Sequence, residues 1–210
     1  MVKLVALDLD GTTLDSRLAI SRENIWAVRD ARERGVAVAI ATGRMHSAAV
    51  TVAASLGSDL PIASYNGALV MMSATGPEVL RVPVPAGERG RIVRLLYEWG
   101  LTFHAYVDDQ LYAPRRSTPT SDYEAKYGVA ARILADMDEF ASMESLKYLV
   151  LDTPERAIAI EPMIRQIAGP SLTVMRSQPG LLEIVSAQAS KSAALRHLAG
   201  LLGISMSETM

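Results

Sequence analysis

"LVALDLDGTT", residues 4–13, decides the fold. Its first half is an apolar run of strand length, the composition of a strand buried on both faces of a parallel sheet. Asp8 and Asp10 close the run and Gly11 breaks it. In open α/β sheets ligands bind outside the carboxyl ends of the strands. The two acids therefore sit where the strand leaves the core for a site. Gly11 lets the backbone turn sharply there and bring amides close to a ligand.

Working outward, strands and helices alternate. Ser21 reads as an N-cap with Glu23 in the first turn; Ile25, Val28 and Ala31 form an apolar stripe, and Gly35 ends that helix. "VAVAIAT" (36–42) is a second buried strand. "GR" (43–44) opens another helix, with Met45, Ala48, Ala49, Val52 and Leu56 on one face and Gly57 after it. "PIASY" (61–65) is a third strand and "ALVMM" (68–72) the next. The alternation with short links predicts an α/β fold: a doubly wound, parallel Rossmann-like sheet with right-handed crossovers. Thr42 and Gly43 end strand two, and Asn66 and Gly67 follow strand three. With Asp8 and Asp10 they converge on one edge.

After "EVLRVPVP" the rhythm changes. "GERGRIVRLLYEWG" reads as a helix with Ile92, Leu95, Leu96 and Trp99 on one face, and "LTFHAYVDDQLYAP" as a hairpin turning at Asp108–Asp109. Residues 117–145 carry no clear pattern. "SLKYLVLD" (145–152) is a strand; Thr153 caps a helix with Pro154 at its first position, and Gly169 ends it. "LTVMRS" and "LLEIVS" flank a Pro179–Gly180 turn. These elements predict an inserted α/β module with an antiparallel sheet over residues 83–186. Ser190 caps a last helix whose Ala194, Leu195, Leu198, Leu201 and Leu202 form an apolar face returning to the first domain, which takes residues 1–82 and 187–210.

Composition bounds the function. Among 210 residues, 21 Lys plus Arg stand against 23 Asp plus Glu, a formal charge of -2, which gives no basis for a nucleic-acid or anionic-membrane partner. The absence of cysteine excludes disulfides and thiolate metal sites and suits a reducing cytoplasm. Apolar runs are shorter than the roughly 18 residues of a membrane helix, so a cytoplasmic protein without membrane partner is expected.

Two carboxylates two residues apart can divide labour, one as nucleophile and the other as general acid and base. An acidic pair of this kind also caps turns or binds a cation. Thr42 reads equally as a helix cap, Gly43 as a turn residue, Lys191 as a solvated lysine, Arg44 as a structural arginine and Asn66 as a turn cap. His46, Asp108, Asp109, Arg115 and Arg116 could reach a substrate or serve turns and surface; His104 and His197 read as structural.

The ordered set "DLDGTTL" (8–14), "TGR" (42–44), "NGA" (66–68) and "SK" (190–191), with an insertion before the lysine, resembles the haloacid dehalogenase superfamily of phosphatases, and within it the Cof-type group with an inserted α/β cap. The resemblance spans the chain. It implies that Asp8 attacks phosphorus and that Asp10 protonates the leaving oxygen and then activates water. It implies Mg²⁺ on the Asp8 carboxylate and the Asp10 carbonyl, and phosphate held by Thr42, Gly43 and Lys191, with Arg44 and Asn66 on the substrate side. The expected substrate is a small phosphorylated metabolite, sugar phosphates first. A non-catalytic phosphate binder and a sugar phosphomutase are the alternatives.

The family's fourth motif, an acidic "GDxxND"-like loop after another strand, has no match after Lys191. The chain is therefore expected to stop short of that motif, leaving "LVALDLD" with an open edge through which self-association could occur.

Overall fold

In the computed structural model, which describes residues 1–57 and 59–210, the chain builds two units: Met1–Val82 with Ala189–Met210, and Pro83–Gln188. The second ends at Gln188 rather than 186. Among the described residues no helix is long and apolar enough to cross a membrane.

The first unit carries a sheet ordered β1 (Leu4–Leu7), β2 (Ala37–Ala41), β3 (Ile62–Ser64), β4 (Leu69–Met71) and β5 (Glu78–Arg81). β1, β2 and β3 are parallel, joined by α1 (Arg22–Glu33) and α2 (His46–Leu56). β2, "AVAIA", shows how both faces are covered. Val38 and Ile40 join Leu9, Val28, Ala49, Ala53 and Ile62 in the core under α1 and α2. Ala39 and Ala41 face the other way, toward Leu198 and Ala194 of α7 (Lys191–Leu201). Alanines on that face let α7 pack close to the backbone. Each fully buried leucine or isoleucine contributes about 1.5–3 kcal/mol. Leu201 and Leu202, read as part of the apolar face of α7, are exposed at its C-terminal end.

Three features differ from the expectations. α2 begins at His46, not at Gly43, with no side-chain cap. β4 and β5 extend the sheet antiparallel, since the short turn Tyr65–Gly67 reverses the chain where a parallel strand needs a crossover. The outer edge of β1 is not open along its length: Met210 N donates to Leu4 O at 2.9 Å, Ala6 N to Met210 O at 2.7 Å and Lys3 N to Glu208 O at 2.8 Å. Residues 208–210 thus lie beside β1, with Leu4 and Thr209 in parallel register.

The second unit carries a sheet ordered β10 (Leu172–Gln178), β11 (Leu181–Ser186), β9 (Lys147–Leu151), β6 (Thr102–Val107), β7 (Gln110–Ala113) and β8 (Ala131–Ile133), antiparallel except β7 with β8. The Asp108–Asp109 hairpin forms as expected, both residues at positive φ (46° and 58°), as a tight two-residue turn requires. α3 (Ala86–Glu98), α5 (Met137–Ser142) and α6 (Pro154–Ala168) contribute to one core with Phe103, Ala105, Tyr148, Val150, Leu182 and Ile184. α6 starts and stops as read, with Thr153 Oγ1 accepting from Arg156 N and Gly169 at its end. α4 (Thr118–Tyr127) and β8 arise from the segment without a pattern.

The opposite face of β6 is polar. His104 Nε2 meets Thr120 Oγ1 of α4 at 3.1 Å, and Tyr106 and Tyr123 share a hydroxyl hydrogen bond of 2.9 Å. Beside them Lys147 Nζ and Glu183 Oε1 form a buried ion pair at 3.3 Å, with Lys147 4.8 Å from the centre of the Tyr106 ring. Burial pushes the His104 imidazole down to about 4, against a smaller upward pull from Glu124. The folded protein therefore resists protonating a ring that takes a proton near 6.5 when unfolded. Stability from this group is complete above pH 6.5 and is lost as pH falls toward 4, by at most about 3 kcal/mol. Denaturation of the wild type and of His104→Leu between pH 7 and 4 checks this: the variant should show the shallower fall.

Candidate active site

Asp8 follows β1 directly, and the next turn holds it in place. Thr13 Oγ1 donates to the Asp8 carbonyl at 2.6 Å, and Leu14 N to the Leu9 carbonyl at 2.8 Å. Leu9 points into the core, so its neighbours Asp8 and Asp10 face away from it. Gly11 makes the turn at φ 74°.

Lys191 Nζ lies 2.6 Å from Asp8 Oδ1. The lysine is the first residue of α7, whose cap Ser190 accepts from Ala193 N at 3.0 Å. Arg44 clasps Asp10 side-on: Nη2 meets Oδ1 at 2.6 Å and Nε meets Oδ2 at 3.0 Å. The Asp10 carboxylate thus has both oxygens on one guanidinium, a planar fork that a lysine cannot supply.

The loops behind these side chains are joined through their backbones. Thr42 is wholly buried, and its Oγ1 accepts from Arg44 N at 3.2 Å. Asn66 N donates to Thr42 O and Tyr65 N to Arg44 O, both at 2.9 Å. Tyr65, Asn66 and Gly67 are all left-handed, at φ 51°, 59° and 90°, an arrangement that persists only where its surroundings fix it. A Cβ on Gly43 would lie 2.8 Å from Asn66 Oδ1, and one on Gly67 would strike the Ser190 carbonyl. The contacts close a circuit: Asp8 to Lys191, Ser190 to Gly67, Asn66 to Thr42 and Gly43, Arg44 to Asp10. The seven residues that the family resemblance implies for the site, Asp8, Asp10, Thr42, Gly43, Arg44, Asn66 and Lys191, belong to it.

Other candidates are engaged elsewhere. His46 Nε2 meets the Ala74 carbonyl at 3.1 Å, and His197 Nε2 the Val79 carbonyl at 2.9 Å. Arg115 donates to Gly100 O at 3.1 Å, and Arg116 pairs with Glu124 at 2.7 Å. A separate cleft of about 430 Å³ opens within the second unit; Tyr123, Lys126, Tyr127, Asp152 and Arg156 line it, and the Asp108–Tyr112 hairpin does not. Thr13 escaped the sequence reading, although its place in "DGTT" was the available signal.

A metal ion fits this site by donor chemistry. The Asp8 carboxylate and the Asp10 carbonyl are hard oxygens suited to Mg²⁺, which keeps several waters. Among the described residues no group of three or more His, Cys, Asp or Glu side chains gathers to hold an ion.

A strand-end acid pair, a lysine on the first acid and a threonine loop beside them are the arrangement that the family resemblance leads one to expect. The haloacid dehalogenase-like hydrolase family matches residues 5–210, and the chain belongs to it. It is a phosphatase of the Cof type. YxeH of Bacillus subtilis is 30% identical over 216 residues, 100% of this chain and 80% of that protein. The phosphatase YwpJ of Bacillus subtilis is 27% identical over 233 residues, covering 99% and 81%. The crystal structure of TM0651 from Thermotoga maritima superposes with a TM-score of 0.86 at 27% identity, covering 100% of this chain and 78% of that one.

Gly67→Ala tests the circuit. The methyl cannot coexist with the Ser190 carbonyl, so the start of α7 must shift and carry Lys191 with it. We expect a loss of about 1–3 kcal/mol in chemical denaturation together with a fall in phosphatase rate.

Proposed function

We propose that this chain hydrolyses small phosphomonoesters through a phosphoenzyme on Asp8. The observation that carries the reading is the Asp8–Lys191 pair at 2.6 Å, a carboxylate oxygen held at a strand end by a cation. In this reading Asp8 attacks phosphorus and Lys191 offsets the charge shared by nucleophile and phosphoryl group. Thr42, the Gly43 amide and Asn66 bind phosphate or support the site. Asp10 gives a proton to the departing oxygen and then takes one from water.

The charge count supports a divalent cation. Lys191 already balances Asp8, and with Asp10 carrying the proton it gives up, Arg44 beside it leaves a single positive charge against an incoming phosphate dianion. Mg²⁺, on the Asp8 carboxylate and Asp10 carbonyl, would supply further positive charge when bound.

Sugar phosphates are the leading substrate class, in keeping with the family resemblance, and the cytoplasm is the proposed compartment. We assign selection of the organic group to the second unit, with its Asp108–Tyr112 hairpin as the substrate-facing element. Replacing the Asp108–Asp109 turn by Asn-Gly, which keeps the two-residue turn, is expected to change relative rates across a sugar-phosphate panel at least several-fold. An unchanged profile would put selectivity elsewhere.

Release of inorganic phosphate from a panel of phosphomonoesters tests the main reading. Activity should need added Mg²⁺, vanish with chelator and return with Mg²⁺. Asp8→Asn should lose activity by more than about 1,000-fold; retention of the parent rate would remove Asp8 as the nucleophile.

A further inference from the structure

The family resemblance puts Arg44 on the substrate side, yet in the structure its guanidinium grips Asp10 through two donors, at 2.6 and 3.0 Å. Its backbone is fixed as well: Arg44 N donates to Thr42 Oγ1, and Arg44 O accepts from Tyr65 N. The Asp10 side chain is about half exposed and that of Arg44 only a quarter. The more buried partner, tied down at both its backbone N–H and its carbonyl, sets the orientation of the more exposed one. Between them the two residues span 34 positions of sequence, and the loops that bear them are otherwise joined through Asn66 and Lys191.

We infer that Arg44 is a positioning residue for Asp10, acting in the half of the reaction in which the phosphoenzyme is hydrolysed. This rests on the phosphatase reading above. In the first half the bond from Asp8 to phosphorus forms as the ester P–O bond breaks, and the carboxyl proton of Asp10 passes to the departing alcohol oxygen. In the second half Asp10, now a carboxylate, takes a proton from water. The water oxygen bonds to phosphorus, the bond to Asp8 breaks, and inorganic phosphate leaves with Asp10 again carrying a proton. A guanidinium fork needs an acceptor at each of its two bonds, which is the carboxylate of the second half. It fixes the plane of that carboxylate so that a lone pair is offered in one direction.

The experiment separates the two halves with p-nitrophenyl phosphate, whose leaving group needs little help from an acid. Wild type, R44A, R44K and R44Q are compared with Mg²⁺ present, following the first-turnover burst of nitrophenolate, the steady rate and labelled phosphoenzyme trapped by rapid quench. For R44A we expect a burst rate within about threefold of wild type and a steady rate lower by roughly 10- to 100-fold, part of the range that general acid–base catalysis supplies. Phosphoenzyme should accumulate. R44K, with charge but no fork, should behave like R44A, and R44Q should fall between them and the wild type. In D10N the further R44A change should cost nothing. A slowed burst together with weaker inhibition by inorganic phosphate would make Arg44 a phosphate ligand and overturn the inference, as would full activity in R44K. The parent reading fails separately, if wild type shows no phosphoenzyme or D8N forms one. Folding of each variant is checked by circular dichroism, and the three substitutions make the result independent of any one that fails to fold.

Discussion

The Asp8–Lys191 ion pair joins residues 183 positions apart and spans the whole second unit. Loop-closure entropy grows only logarithmically with length, so an insertion of that size adds little to the cost of bringing the ends together. What must be exact is the local approach of α7 to the sheet. Ala39, Ala41 and Ala63 keep the sheet surface low beneath that helix, and Gly67 removes the side chain that would hold Ser190 away. The ion pair is thus set by packing, with electrostatics acting on geometry already fixed.

Much of this was legible because local chemistry leaves local marks. Ser21, Thr153 and Ser190 are caps that accept the expected backbone hydrogen bonds, and the turns at Asp108–Asp109 and Pro179–Gly180 lie where their residues demand. The parallel start of the sheet followed from buried strands alternating with amphipathic helices. α4 was missed for a physical reason. Ser117 and Pro119 mark its start, but its contacts with β6 are a hydroxyl and a tyrosine, not an apolar stripe, so hydrophobic periodicity is silent there. The clasp of Arg44 on Asp10 was illegible too, since no spacing in one dimension says which acid an arginine will reach. The pairing of residues 208–210 with β1 was hidden because three polar and apolar residues give no strand pattern.

The polar face of β6 shows a different economy from the apolar one. Lys147, Glu183, His104 and Tyr106 are buried, and each has a partner. Replacing such a set by apolar residues is often neutral for stability, whereas removing one member strands its partner. Its members come from β6, β9, β11 and α4, and so hold those elements in one register. Tyr123, pushed up to about 12 mainly by burial, keeps its proton across the physiological range and remains available for the bond with Tyr106.

The first unit is assembled from both sides of the second, and this has a consequence for the order of events on the ribosome. The segment Pro83–Gln188 is continuous, so all its strands have emerged before Lys191 is made. Domains fold as units while synthesis proceeds, and the inserted unit can complete its sheet while the first still lacks α7. Until that helix arrives, the alanine face of β2 and β3 has no cover and Asp8 has no lysine. Nascent chains therefore carry the acid pair without its charge partner, and the two meet only when synthesis has passed α7.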